Sequence, residues 1–155
     1  MYQKILVPLD GSELAECVLA HMDALARGCL VKDIIFVQVV EIYQYPTYGG
    51  ELTITPDDVH VINVQNKLAA ETYLKQLTDG FKYENVNTRW EVLTGNPAET
   101  LADYATKNHV DLILIATHGR SGVSRWVWGS VADRLLRSAC VPVVMVRAPG
   151  CYPGV

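Results

Sequence analysis

Gly119, Gly122, Gly129 and Ser130, with His118, Arg120 and Arg125 set among them, are the residues of this chain best suited to chemistry. Gly119 and Gly122 reach positive φ at little cost and bring bare N–H groups close to an anion. Gly129-Ser130 opens a helical segment and offers a second cluster of donors with a hydroxyl. The guanidinium of Arg120 adds charge beside the first glycine. The chemistry these types support is anion binding, with phosphate as the obvious ligand.

Charge distribution agrees. Between Ala116 and Arg147 five arginines (Arg120, Arg125, Arg134, Arg137 and Arg147) face one acid, Asp133, a local +4 in a chain whose net charge is −4. A positive segment in an otherwise acidic chain suits a small anion and argues against nucleic acid, whose phosphates the rest of the surface repels. Arg134 and Arg137 read equally well as last-turn residues favoured by a helix dipole, and Ser130 with Asp133 as a capping box.

Other chemistries lose support. GxxxxGKS/T is absent and no GxGxxG follows a strand, so ordinary NTPase and dinucleotide sites are not indicated. Cys17, Cys29, Cys140 and Cys151 show neither CxxC spacing nor paired histidines, which leaves reduced cysteines packed as small apolar groups. Only Asp10 and His118 are placed to activate a nucleophile, and each has an ordinary role as turn former or loop donor. No catalytic residue is named.

The elements that must position this loop follow from periodicity. The 155 residues are half apolar, enough for one compact domain. No apolar run approaches the roughly 18 residues of a membrane span, and Met1-Tyr2-Gln3-Lys4 opens straight into a strand, so a soluble, cytoplasmic chain is expected. Lys4 to Leu9 reads as a strand closed by the turn and cap Asp10-Gly11-Ser12. A helix is expected at once, with Leu14, Cys17, Val18, Met22 and Leu25 in one stripe, a partly buried His21 on that stripe, and Gly28 as its left-handed end. Ile34 to Val40, apolar but for Gln38, reads as a strand covered on both faces.

Tyr43 to Gly50 is a loop, and from about Asp57 to Asp79 the pattern turns helical, capped by Asp57 or Asp58 with Ala70, Tyr73, Leu74, Leu77 and Phe81 on one face. Thr88 to Leu93 is a strand near the sheet edge. Asn96-Pro97-Ala98-Glu99 starts a helix, with Asn as cap and Glu reaching back. The strand Asp111 to Ile115 feeds the loop from Ala116 to Ser130. A last strand, Val141 to Val146, begins with a proline and suits an edge. Residues 148–155 read as a flexible tail beyond a domain of residues 1–147.

Alternating strands and helices imply right-handed crossovers and a doubly wound parallel α/β sheet. Ligands then sit at the carboxyl ends of the strands, where strand order reverses. With order 3-2-1-4-5, the Leu9-Asp10-Gly11-Ser12 turn and the glycine loop are neighbours around a mononucleotide-sized cleft.

Asp10-Gly11-Ser12 after Val7-Pro8, Val39-Val40 ending the second strand, Gly119-x9-Gly129-Ser130 with His118 and Arg120, and the closing Val141-Pro142-Val143-Val144-Met145-Val146 together resemble the universal stress protein family. The resemblance runs from about Lys4 to Arg147. It implies a single-domain five-stranded sheet of order 3-2-1-4-5 with helices on both faces, adenine nucleotide alpha hydrolase-like, and dimers paired along the last strand. One branch of that family binds ATP or AMP through G-x2-G-x9-G-S/T. Here the first glycine is Ala116, whose methyl group is tolerable at an ordinary negative φ and costly at a positive one.

By that resemblance Pro8, Leu9 and Asp10 border base and ribose, and Val39 gives backbone contacts to adenine. Ala116 and Gly119, with Arg120 and Gly122 beside them, lie under ribose and phosphates, and Gly129, Ser130 and Val131 hold the terminal phosphates. Magnesium would bridge those phosphates, with no protein ligand set visible. The implied function is an ATP- or AMP-binding, dimeric stress-response regulator. Two other readings stand beside it: a slow ATPase, and a dimeric partner-binding module without nucleotide. Trp126 and Trp128, beside the edge strand, are candidates for contact surface.

Overall fold

The computed structural model describes residues 2–43, 55–117 and 130–147. Five strands, β1 (Lys4–Pro8), β2 (Asp33–Val40), β3 (Asn87–Thr94), β4 (Leu112–Ala116) and β5 (Val143–Val146), alternate with helices α1 (Val18–Gly28), α2 (Pro56–Asp79), α3 (Pro97–Lys107) and α4 (Ser130–Ser138). All strand pairs are parallel, in the order β3-β2-β1-β4-β5. This is the expected doubly wound sheet.

Parallel strands covered on both faces must send successive side chains into two separate cores. Ile5, Val7, Ile34, Phe36, Leu112 and Leu114 pack beneath α1 and α2 with Val18, Met22 and Leu74. Their neighbours Leu6, Ile35, Val37, Ile113 and Ile115 pack on the other side against Leu101, Tyr104, Ala105 and Leu135. Where both faces are buried, over Ile34 to Val37 and Leu112 to Ile115, the run is apolar throughout.

Several local expectations change. A 3-10 turn, Ala15–Cys17, precedes α1, so the helix does not follow the first strand at once. Gly28 stays helical, and α1 ends on extended Cys29, whose N–H reaches the Leu25 carbonyl at 2.9 Å. The left-handed end is therefore unused, and His21 is exposed because its position turns outward from Val18 and Met22. The cap of α2 is Thr55, with Asp58 completing a reciprocal capping box; the hydroxyl accepts from the Asp58 N–H at 3.2 Å, and Asp58 accepts from the Thr55 N–H at 2.7 Å. At α3 Asn96 caps the Glu99 N–H, whereas no return bond from Glu99 is found among the described residues. Cys17 and Cys29 are half-buried, but Cys140 is exposed beyond the end of α4. Residues 44–54, 118–129, 148–155 and Cys151 among them lie outside the described residues.

Candidate functional site

Strand order reverses between β1 and β4, since the chain first builds outward from β1 through β2 to β3 and then crosses to β4 and β5. The pairing registers Pro8↔Val37 and Leu6↔Ile113, carried forward residue by residue, bring Asp10 level with both Val39 and Thr117. The turn after β1 thus lies at the carboxyl edge of the sheet, between the end of β2 with Val39 and the end of β4. Two of the expected ligand-bordering segments are thereby brought together.

The turn after β1 is rigid. Pro8 ends β1, and the buried Leu9 donates its N–H to the Val37 carbonyl at 2.8 Å, tying the turn to β2. One carboxylate oxygen of Asp10 accepts both the Ser12 N–H at 3.0 Å and the Ser12 hydroxyl at 2.6 Å. Gly11 between them has φ +79°, a conformation that disfavours a side chain. The Ser12 hydroxyl oxygen also accepts the Ala15 N–H at 3.2 Å, so one residue holds the acid and ties the turn to the first residue of the 3-10 turn.

Behind the turn, the Tyr73 hydroxyl of α2 donates to Glu16 at 2.9 Å. Burial first, then this bond and the negative charges of Glu16 and Asp10, hold the Tyr73 phenol far above its ordinary value. The phenol therefore stays a proton donor and latches α2 to the turn.

Two further residues at this edge escaped the sequence reading. Gln38 lies beneath the turn: its amide nitrogen is 3.7 Å from where a Gly11 Cβ would stand, and its buried carbonyl oxygen has no hydrogen-bond partner among the described residues. Its signal was the single polar interruption of an apolar strand. Thr117, buried, follows β4 and gives its N–H to the Val146 carbonyl at 2.8 Å. Nothing in the sequence pattern set it apart from a loop threonine.

Ala116 corrects an expectation: it is the last residue of β4, paired with Val146 and buried, and not the first of the loop. His109 is the sole non-glycine residue with positive φ among those described, so Ala116 keeps the ordinary backbone that tolerates a methyl group. Val131 is half-buried in the first turn of α4, packed on the second core. Ser130 opens that helix. Gly119, Arg120, Gly122 and Gly129, with His118, Arg125, Trp126 and Trp128, lie outside the described residues. Arg137 takes its helical role, pairing with Asp133 at 3.1 Å on the exposed face of α4. Among the described residues no three histidine, cysteine or acidic side chains converge on a metal position.

The chain is 28% identical over 149 residues to a universal stress protein of Methanocaldococcus jannaschii, a match spanning 96% of this chain and 84% of that one. Its fold is that of the universal stress protein UspA from Lactobacillus plantarum, with a TM-score of 0.79 at 22% identity, covering 94% of this chain and 98% of that one. It is also that of a universal stress protein family protein from Arabidopsis thaliana with AMP bound, with a TM-score of 0.62 at 14% identity, covering 96% and 93%. The sequence model of the Universal stress protein family matches residues 1–147, nearly the whole chain, and the chain belongs to that family.

Proposed function

We propose that this chain is a stress-response regulator that binds an adenine nucleotide, ATP or AMP, at the carboxyl edge of its sheet and acts as a dimer paired along β5. The observation that carries the reading is that Val39, Asp10 and Ala116-Thr117 gather at the carboxyl ends of three adjacent strands, at the point where strand order reverses. The AMP bound to the Arabidopsis family member supports it. In this reading Val39 offers backbone groups to the base, while Pro8, Leu9 and Asp10 border base and ribose. Gly119, Arg120, Gly122, Gly129, Ser130 and Val131 receive the phosphates. Magnesium, where used, is held by the phosphates themselves.

Calorimetric titration with ATP and AMP tests the reading: binding to the wild type, abolished in Gly129→Val, is expected. No heat with any adenine nucleotide at millimolar concentration would refute it.

Dimerisation has separate support. β5 is an edge strand with Val144 41% exposed, and an unpaired apolar edge invites a second strand. Light scattering is expected to show Val144→Arg at half the wild-type mass. Among the described residues no helix is long and apolar enough to cross a membrane.

A further inference from the structure

The first half of α2, from Pro56 to Ala69, contains no buried side chain; burial begins at Ala70 and continues at Leu74. Its composition is poor for a helix standing alone, since Val59, Val61, Ile62 and Val64 are β-branched and lose side-chain freedom against the preceding turn. Most helical stability comes from packing an apolar face. Val59 and Ile62 are only partly buried, so the packing of this segment on its own chain is incomplete.

The apolar face it has points outward. Val61, Val64 and Leu68 are 50%, 43% and 55% exposed. At about 100° per residue these three fall within a wedge of about 60°, and Asp57 and Lys75 fall inside the same wedge at its two ends. Ala70 and Leu74 stand about 120° and about 80° beyond its nearer edge. The stripe thus reads acid, three apolar residues, base along one line. Neither Asp57 nor Lys75 makes an ion pair with another described residue.

We propose that this stripe is a contact surface for a second copy of the chain, the two α2 helices crossing antiparallel about Val64. Reversal of one helix sets Val61 against Leu68 of the other and Val64 against its own counterpart. The axis then falls between Val64 and Gln65. At ~1.5 Å per residue Asp57 lies ~11 Å from it on one side and Lys75 ~16 Å on the other, a difference an extended lysine side chain spans. Each end therefore gains a cross-pair of opposite charge, and the helix dipoles oppose. A parallel arrangement or a shifted register would lose these matches. A contact of two helix faces is smaller than the ~800 Å² per partner of a standard interface, so it forms at high protein concentration. Because α2 packs on β2 and β3, at the edge of the sheet away from β5, this contact is separate from pairing along β5.

Analytical ultracentrifugation over a concentration series tests it. Val64→Glu places like charges face to face at the axis, and at high concentration its mass is expected to be half that of the wild type. Asp57→Lys and Lys75→Asp are each expected to weaken association, and the two together in one chain to restore it. Equal masses for wild type and Val64→Glu at every concentration overturn the proposal, whether the stripe is covered by another part of the same chain or by a different protein. Failure of the double exchange to restore association overturns the antiparallel geometry. Val144→Arg, which acts on β5, separates this contact from strand pairing.

Discussion

Ser12 donates twice to the same carboxylate oxygen of Asp10, from its backbone N–H at 3.0 Å and from its hydroxyl at 2.6 Å, and so sets the direction of the acid at the middle of the candidate site. Removal of the hydroxyl deletes that bond and the one it accepts from the Ala15 N–H. Ser12→Ala is expected to cost about 1–2 kcal/mol in urea denaturation. It is also expected to weaken ATP binding about tenfold by calorimetry, the equivalent of ~1.4 kcal/mol. Wild-type stability and affinity in that variant would show that the turn is held by its backbone alone.

Ala116 ends β4 with an ordinary backbone, paired with Val146. Restoring the glycine of the family pattern therefore relieves no strain. Ala116→Gly is expected to lower stability by about 0.5–1 kcal/mol through chain entropy while changing ATP affinity less than about twofold. A large gain in affinity would mean that the methyl group itself obstructs the ligand.

Gly95, between β3 and α3, has φ +141°, and a Cβ there would stand 2.7 Å from the Thr100 hydroxyl oxygen. Both strain and collision oppose a side chain. Gly95→Ala is expected to destabilise by roughly 2 kcal/mol, and a second change, Thr100→Ala, to recover only the part due to collision. Complete recovery in thermal denaturation would show that the backbone angle costs nothing.

Asp111 joins the starts of β1 and β4: one carboxylate oxygen accepts the Gln3 and Lys4 N–H groups, each at 2.9 Å. The bond from Lys4, then that from Gln3, hold its carboxyl below the ordinary 3.8. The folded state thus favours the ionised form. Its stabilisation is complete above the unfolded-state value and lost as pH falls through the lower folded-state value. Asp111→Asn keeps the shape without titrating, so it is expected to lose less stability than the wild type between pH ~6 and ~2 in urea midpoints. Parallel loss in both would assign the acid sensitivity to other carboxylates.

Fold and site were unequally legible in the sequence. Runs such as Ile34 to Val37 and Leu112 to Ile115 have no polar residue because both faces of the sheet are covered, and the Asn96-Pro97 start is local chemistry. Helix ends were less legible. Thr55 caps α2 because its partner Asp58 stands three residues on, and Gly28 remains helical because the chain turns at Cys29. Thr117 and Gln38 gained meaning only when strand pairing brought them to the carboxyl edge of the sheet with Asp10.

By itself, then, the sequence determined what depends on period and local bonding: the alternation of elements, the turn at Asp10-Gly11-Ser12, and the family through motifs that recur at set spacings. Tertiary structure decided what depends on pairing between distant segments. It placed Ala116 inside β4, since strand pairing with Val146 extends the ladder by one residue, and gathered Val39, Asp10 and Thr117 at the carboxyl ends of three adjacent strands. It also turned Val61, Val64 and Leu68 outward, because α2 is rotated by the packing of Ala70 and Leu74, far along the same helix. A one-dimensional pattern shows that an apolar stripe exists; only the packing of the helix shows which stripe the core leaves uncovered.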